Sequence, residues 1–355
     1  MRDDGWRDVA AAELAARYAA VLGLSGPVLV MEDPLPTLPS ALMEMGLSVH
    51  RYARRALVGR AASSWPSGGP YGTVALRLPR AADELRMWAH AAVGLMEPDG
   101  RLLLYGAKDE GAASASSRIE NVFGEVETVA TGKRCRVLLA RSPRIGSART
   151  RLDDWAVGFD PELEELHAPW TSFPGVFAHG RLDGGTALLI QALPTIPERA
   201  RVLDFGCGHG VLGAVVAARS RSAEVAFLDV DALALEAVRR NVPGAPTFLS
   251  DGWGGMEGGA WDVIVSNPPW HAGKSETLGV MEELVSGAAR RLARGGWLAL
   301  VTQRRLPVES RLSDSFADVA IIGDGGGWRV WRAQSPIHDH RTLSSHGSSR
   351  RGVGR

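Results

Sequence analysis

Asn267-Pro268-Pro269-Trp270 is the segment whose residue types point most directly to chemistry. It follows Ser266 and the apolar run Val263–Val265, so it stands at the carboxyl end of a predicted strand. A Pro-Pro pair there stops the sheet and leaves nearby carbonyls without a ladder partner. The Asn267 side-chain oxygen and the Pro268 carbonyl are then two acceptors for one NH2 group. An amine conjugated to an aromatic base is a poor nucleophile because its lone pair is delocalised. Two acceptors on its hydrogens favour a pyramidal nitrogen with a directed lone pair, so the reaction needs positioning more than a strong base. Trp270 is the residue type on which an extruded planar base stacks. The plainer alternative is a rigid turn beside a core tryptophan. His271 and Lys274 follow, as a proton relay or structural histidine and as a phosphate contact or surface lysine.

Such a nucleophile needs an electrophile, and the run Arg201–Gly213 predicts where it is bound. An apolar strand leads into Asp204, then Gly206, Gly208 and Gly210, then a helix. Glycines let a ligand approach the main chain with no Cβ in between. A dinucleotide loop wants its third glycine one residue later, to admit a pyrophosphate, but position 211 is Val and Asp204 would repel a diphosphate. The pattern suits a ligand with an ammonium and no phosphate, S-adenosylmethionine. Asp229, about twenty residues past the glycines, is placed to accept both ribose hydroxyls. Asp251, after Thr247–Ser250, is placed to receive the adenine amino group. Each carboxylate alone reads equally as a helix cap or a surface group; three at successive strand ends beside a glycine loop favour the cofactor. Cys207 reads as a small filler of the loop.

The elements that must position these residues alternate between strand and helix, which argues for a mostly parallel sheet covered by helices. In the second half, strands are predicted at Val202–Phe205, Glu224–Asp229, Val263–Ser266 and Trp297–Val301, with helices at Leu212–Arg219, Leu233–Asn241 and Leu278–Leu292. In the first half, a helix over 5–23 precedes strands at Val28–Met31, Leu47–Tyr52, Thr73–Leu78 and Leu102–Tyr105, with a helix at Ala81–Leu95. Val74–Leu78, Pro79, a helix and Asp99-Gly100-Arg101-Leu102 parallel Val263–Ser266, Asn267-Pro268-Pro269, a helix and Gly295-Gly296-Trp297-Leu298. That is the pattern of a duplicated domain; two unrelated α/β domains remain the alternative.

Length and composition fit this reading. A chain of 355 residues accommodates two domains, each with its own core. Forty basic and forty acidic residues cancel, so any surface for a polyanion must be local. The best candidate is Lys133 to Arg151, where Lys133, Arg134, Arg136, Arg141, Arg144, Arg149 and Arg151 are unbroken by an acid; a solvated strand face and linker is the alternative. Cys135 and Cys207 form no disulfide framework, and no apolar run is long enough for a bilayer, so a cytoplasmic protein without membrane contact is expected. No metal is expected, although His338, His340 and His346 cluster in the last residues.

The glycine loop, Asp229, Asp251 and Asn267-Pro-Pro-Trp270 resemble the small-domain methyltransferases of the RsmC and RlmG type, which methylate guanine N2 in ribosomal RNA. Gly175-Val-Phe-Ala-His-Gly-Arg-Leu-Asp-Gly-Gly-Thr186 is similar to the Gly-Val-Phe…Leu-Asp-x-Gly stretch of that family. The first half is similar at Gly106-Ala-Lys-Asp-Glu-Gly111 and Phe123-Gly-Glu-Val-Glu-Thr128. The resemblance covers most of residues 25–335 and implies two Rossmann-like methyltransferase domains in tandem. The first, 1–141, would be degenerate and RNA-binding; Val28–Leu35 indeed has no glycine loop. A basic linker, 142–152, would lead to the catalytic domain, 153–335, with 336–355 a disordered basic tail. It also implies that Phe177, Gly185 and Thr186 line the methionine end of the cofactor. Ribosomal RNA or a ribosomal subunit, 16S before 23S, would be the partner of a monomeric enzyme. Trp270 stands where that family commonly has Phe, and the chain is not net basic. Methyl transfer to DNA adenine N6 or protein glutamine, and a non-catalytic RNA-binding role in ribosome assembly, are the competing functions.

Overall fold

The computed structural model describes residues 5–57, 61–256, 259–268 and 274–337, the side chains of 274–278 excepted. In the first half, α1 (Gly5–Ala19), β1 (Val28–Met31), α2 (Thr37–Glu44), β2 (Val49–Tyr52), β3 (Tyr71–Arg77), α3 (Ala82–Leu95), β4 (Met96–Ala107), α4 (Ala115–Ile119), β5 (Phe123–Gly132) and β6 (Cys135–Pro143) build a six-stranded sheet ordered β2-β1-β3-β4-β6-β5. The second half contains β7 (Val157–Phe159), β8 (Trp170–Ser172), α5 (Gly184–Ala192), β9 (Arg201–Phe205), α6 (Val211–Arg219), β10 (Glu224–Asp229), α7 (Ala232–Asn241), β11 (Thr247–Leu249), β12 (Trp261–Ser266), α8 (Lys274–Arg291), β13 (Leu292–Gln303), α9 (Glu309–Ser313), β14 (Phe316–Gly325) and β15 (Trp328–Pro336). Seven of its strands form a sheet ordered β11-β10-β9-β12-β13-β15-β14, and β7 pairs with β8 apart from it.

Both sheets are parallel through their centres and end in an antiparallel hairpin. Their central strands are apolar on both faces because helices cover both. Alternate residues of β3 divide between two cores. Val74 and Leu76 meet Leu85 and Trp88 of α3, while Ala75 meets Leu14 of α1 and Leu38 of α2. In the second sheet Val263 and Val265 pack with Leu189 and Val215, and Ile264 with Met281 and Leu284 of α8.

The two halves repeat one another down to their irregularities. Between Tyr71 and Thr73 the partner on β4 jumps from Met96 to Arg101; between Trp261 and Val263 the partner on β13 jumps from Leu292 to Trp297. The terminal hairpins carry matching bulges, at Thr128/Ala130 and at Ile321/Gly323.

The basic run from Lys133 to Arg151 does not form one patch. Lys133 and Arg134 occupy the tight turn before β6, with positive φ of 45° and 60°, whereas Arg141 lies near the other end of that nine-residue strand, about 20 Å away at roughly 3.3 Å per residue. Several of its charges are also paired within the chain: Lys133 with Glu13, Arg141 with Glu127 and Arg151 with Asp153. An unbroken run in sequence is dispersed because β6 carries it from one end of the strands to the other.

The halves share a core. Phe173, Val176, Leu233, Ala234 and Ala237 of the second half pack in the same cluster as α3 and β1 of the first. An antiparallel bridge between Arg55 and Asp231 joins the chain just past β2 to the chain just past β10. No helix among the described residues is long and apolar enough to cross a membrane.

Candidate active site

β9 delivers Asp204 to the start of the glycine loop, where it is 1% exposed. Its Oδ2 accepts the Gly213 N–H at 2.9 Å, in the first turn of α6, where the helix end favours negative charge. Gly206, Gly208 and Gly210 all have left-handed φ, at +71°, +54° and +87°. A Cβ at Gly206 would stand in open space, so the glycine is required by the backbone turn and the space beside it is left to a ligand. Gly210 caps α6 and has Val238 and Phe227 pressed against it. The loop is tied to β10, because the Gly206 and Cys207 N–H groups both donate to Leu228 O. Trp170 Nε1 and Asn241 Nδ2 both donate to His209 O, holding it from the other side.

Asp229 closes the loop from the end of β10. Its Oδ2 accepts the Gly208 N–H at 2.8 Å and its Oδ1 accepts the Asp231 N–H at 3.0 Å. Burial pushes the Asp204 carboxyl up to about 7, the Gly213 N–H opposing and the Asp229 charge adding to it. Burial, with Asp231 nearby, pushes Asp229 up to about 6. Two desolvated carboxyls side by side are a site whose charge a bound cation would stabilise. Burial also raises the Cys207 thiol well above its ordinary value, which suits a filler and not a nucleophile. The His209 imidazole is driven down to about 4, chiefly by burial, and is neutral.

Asn267 enters from the end of β12, which Ser266 ties to β9 by donating its hydroxyl to Phe205 O at 2.7 Å. The Asn267 Nδ2 donates to Asp183 Oδ2 at 2.9 Å and to Thr186 Oγ1 at 2.8 Å. The Asp183 carboxylate is acceptor-only, which fixes the orientation of the amide. Its Oδ1 is buried and has no hydrogen-bond partner among the described residues. A buried acceptor left unpaired costs about 1–3 kcal/mol, so this oxygen calls for a donor beyond the described residues.

Phe177, Thr186, Asp204, Gly206, Gly208 and Asn267 therefore line one pocket. Asp229 stands behind it through Gly208, and Gly185 backs onto the Trp328 ring. Pro268 is buried at the strand end. Asp251 is exposed and outside the lining; Ser250, just before it, donates its N–H to Asp229 O. Pro269, Trp270 and His271 lie outside the described residues, as do His338, His340 and His346, and the Lys274 side chain. Sequence reasoning gave no catalytic role to Asp183, which both caps α5 by accepting the Thr186 N–H and orients Asn267. The signal in the sequence is the helix-cap spacing Asp183-x-x-Thr186. No group of three or more His, Cys, Asp or Glu among the described residues could hold a metal ion.

The methyltransferase small domain family matches residues 168–332, the span that holds this pocket. Ribosomal RNA small subunit methyltransferase C of Pseudomonas aeruginosa (strain UCBPP-PA14) is 32% identical over 328 residues, which cover 89% of this chain and 95% of the relative. The chain belongs to the ribosomal RNA small subunit methyltransferase C family. Its counterpart in Hahella chejuensis is 28% identical over 327 residues, covering 87% and 94% of the two chains. Among solved structures, the T. thermophilus 16S rRNA N2 G1207 methyltransferase, in complex with AdoMet and guanosine, superposes with a TM-score of 0.79 over 92% of both chains at 23% identity. That likeness shows that both sheets of this small subunit methyltransferase C family member share the fold. The pocket lies on the seven-stranded sheet of a mixed α/β chain, within the span of the family match.

Proposed function

We propose that the chain transfers a methyl group from S-adenosylmethionine to the exocyclic N2 of a guanine in small-subunit ribosomal RNA. The observation that carries this reading is the buried Asn267 Oδ1, without a hydrogen-bond partner among the described residues, in the pocket of the glycine loop. The residues present fit the cofactor: a glycine cradle with room beside Gly206, a buried Asp204 for an ammonium, and Asp229 for a ribose at the neighbouring strand end. Phe177 and Thr186 would flank its methionine end, and Asp251 its adenine. When bound, S-adenosylmethionine supplies an electrophilic methyl group.

This chain's residues do the rest by positioning. Asp183 and Thr186 hold the Asn267 amide so that only its oxygen is free to accept. That oxygen and the Pro268 carbonyl take the two hydrogens of the guanine amine, turning its lone pair out of conjugation and toward the methyl. The acceptor gains most as the nitrogen acquires positive charge in the transition state. Trp270, by its residue type, would offer a face on which the base stacks. No strong base is required, because the proton becomes acidic only as the new N–C bond forms.

The amino-terminal part, residues 1–141, is read as a duplicated and degenerate copy of the catalytic part, 153–335, joined by a linker over 142–152. The matching strand-partner jumps and hairpin bulges support this. Where the catalytic copy has its glycine loop, the first copy has Glu32-Asp33-Pro34-Leu35, and side chains fill the space: Tyr105 donates its hydroxyl to Asp33 Oδ2 at 2.7 Å, and Arg51 donates to Asp33 O and Leu35 O. Such a copy is free to serve RNA binding in a monomeric enzyme. The test is transfer of labelled methyl from S-adenosylmethionine to unmodified small-subunit RNA, duplex DNA and a Gln-containing protein. Label in RNA alone is expected; label in DNA or protein alone would replace the proposed acceptor.

A further inference from the structure

Arg54 belongs to the first half, two residues beyond β2, yet its side chain ends among residues of the second. It is 2% exposed. Its Nη2 donates to Gly175 O at 2.9 Å and lies 3.4 Å from both Asp231 Oδ2 and Glu84 Oε1. Glu32 accepts the Arg54 backbone N–H at 2.9 Å, so three carboxylates surround one guanidinium. Gly175 has a φ of +89°, and a Cβ there would come within 2.5 Å of Arg54 Nη1. The backbone around Arg54 joins in: Ala232 N donates to Arg54 O and Ala56 N to Val230 O, both at 2.8 Å.

These contacts grip two segments that bound the pocket. One is 229–232, which opens with Asp229, the carboxylate that holds the Gly208 N–H. In it, Asp231 spends Oδ1 on capping α7 through the Leu233 N–H and presents Oδ2 to Arg54. The other starts at Gly175 and runs directly into Phe177 and Ala178 in the pocket wall. One nitrogen of the planar, permanently charged guanidinium fork, Nη2, thus ties both segments to the other half of the chain, while Nη1 is buried with no hydrogen-bond partner among the described residues.

We propose that Arg54 is a positioning residue for the cofactor, setting the separation of the 175–178 and 229–232 segments so that S-adenosylmethionine affinity depends on the docked amino-terminal half. The inference rests on the reading of this pocket as the S-adenosylmethionine site. Arg54 touches neither Asn267 nor the pocket interior. Its loss therefore acts on binding and leaves the methyl-transfer step alone. By linkage, bound cofactor in turn strengthens the docking of the two halves.

The test is calorimetric S-adenosylmethionine affinity with steady-state kinetics on the full chain, for the unaltered protein, Arg54→Gln and Arg54→Lys. Arg54→Gln is expected to weaken the cofactor about tenfold or more and raise its KM by a similar factor, with kcat within about threefold. Arg54→Lys keeps the charge without the fork and should restore part of that loss. Mere loss of stability would lower the active fraction, hence kcat, without moving the KM. Should Arg54→Gln fail to fold, the double variant Arg54→Gln/Glu84→Gln removes one carboxylate with the arginine and should show the same rise in Kd. If the unaltered protein does not bind S-adenosylmethionine, the pocket has been misread. If it binds, and folded variants bind equally well or lose only kcat, the role given to Arg54 is overturned.

Discussion

At the scale of single residues, binding and chemistry separate. Asn267 acts on the acceptor amine in the transition state, so Asn267→Ala should keep the cofactor Kd within a few-fold while single-turnover transfer slows by about two orders of magnitude or more. Transfer at an unchanged rate would remove Asn267 from the chemistry. The buried carboxyls give a pH signature. Asp204 and Asp229 have folded values of about 7 and about 6, above the roughly 3.9 of an unfolded Asp. With folded values raised, these two groups contribute their stability to the ligand-free protein below the unfolded value, and that contribution is lost as pH rises from about 4 through 7. A ligand ammonium needs the ionised form, so S-adenosylmethionine affinity should climb between pH 5 and 7, by up to about tenfold per unit for each proton released. Calorimetry in buffers of different ionisation enthalpy reads that proton release; a flat profile would take Asp204 out of ammonium binding. Much of this site was legible in the sequence, because glycines, carboxylates and Asn-Pro-Pro sit at strand ends where few other roles need them. Asp183 was not, since a helix cap and an amide-orienting carboxylate look alike until the fold brings position 183 to position 267. The same strand-end rule reaches Asp251, which stands exposed in the turn after β11.

At the scale of elements, the pocket depends on α6 being pressed against β10. A Cβ on Gly213 would meet the Phe227 ring at 2.5 Å and Asp204 Oδ2 at 3.0 Å, with the ring itself fully buried. Gly213→Ala should therefore cost about 1–3 kcal/mol by denaturant unfolding, as overpacking does, and weaken the cofactor by displacing Asp204. Unchanged stability would mean that helix and strand are not in firm contact there. The central strands were readable because both faces of each are buried, making continuous apolar runs such as Val202–Phe205 and Val263–Val265. The terminal hairpins escaped notice. Half of the residues of β5 and of β14 are exposed, and their apolar residues follow no regular alternation that would mark a strand.

At the scale of the whole molecule, the halves are neither independent nor interchangeable. Phe173, Val176, Leu233 and Ala237 are buried against the first half, and a chain cut to residues 153–337 would expose them to water. Such a fragment should unfold at lower temperature than the full chain and associate in solution, whereas the full chain should melt in one transition; calorimetric scans and sedimentation decide. A fragment as stable and monomeric as the full chain would show that the shared core contributes nothing. Sequence similarity between the halves was legible in a few motifs, but their common core was not, since it joins positions as distant as Trp88 and Leu233. The measurement that bears most directly on the whole account is nucleoside mass spectrometry of small-subunit ribosomal RNA from a strain lacking this chain. We expect one N2-methylguanosine to disappear, to return with the unaltered gene, and to stay absent with Asn267→Ala. An unchanged N2-methylguanosine content, or loss of a methylated adenosine in its place, would contradict the assignment.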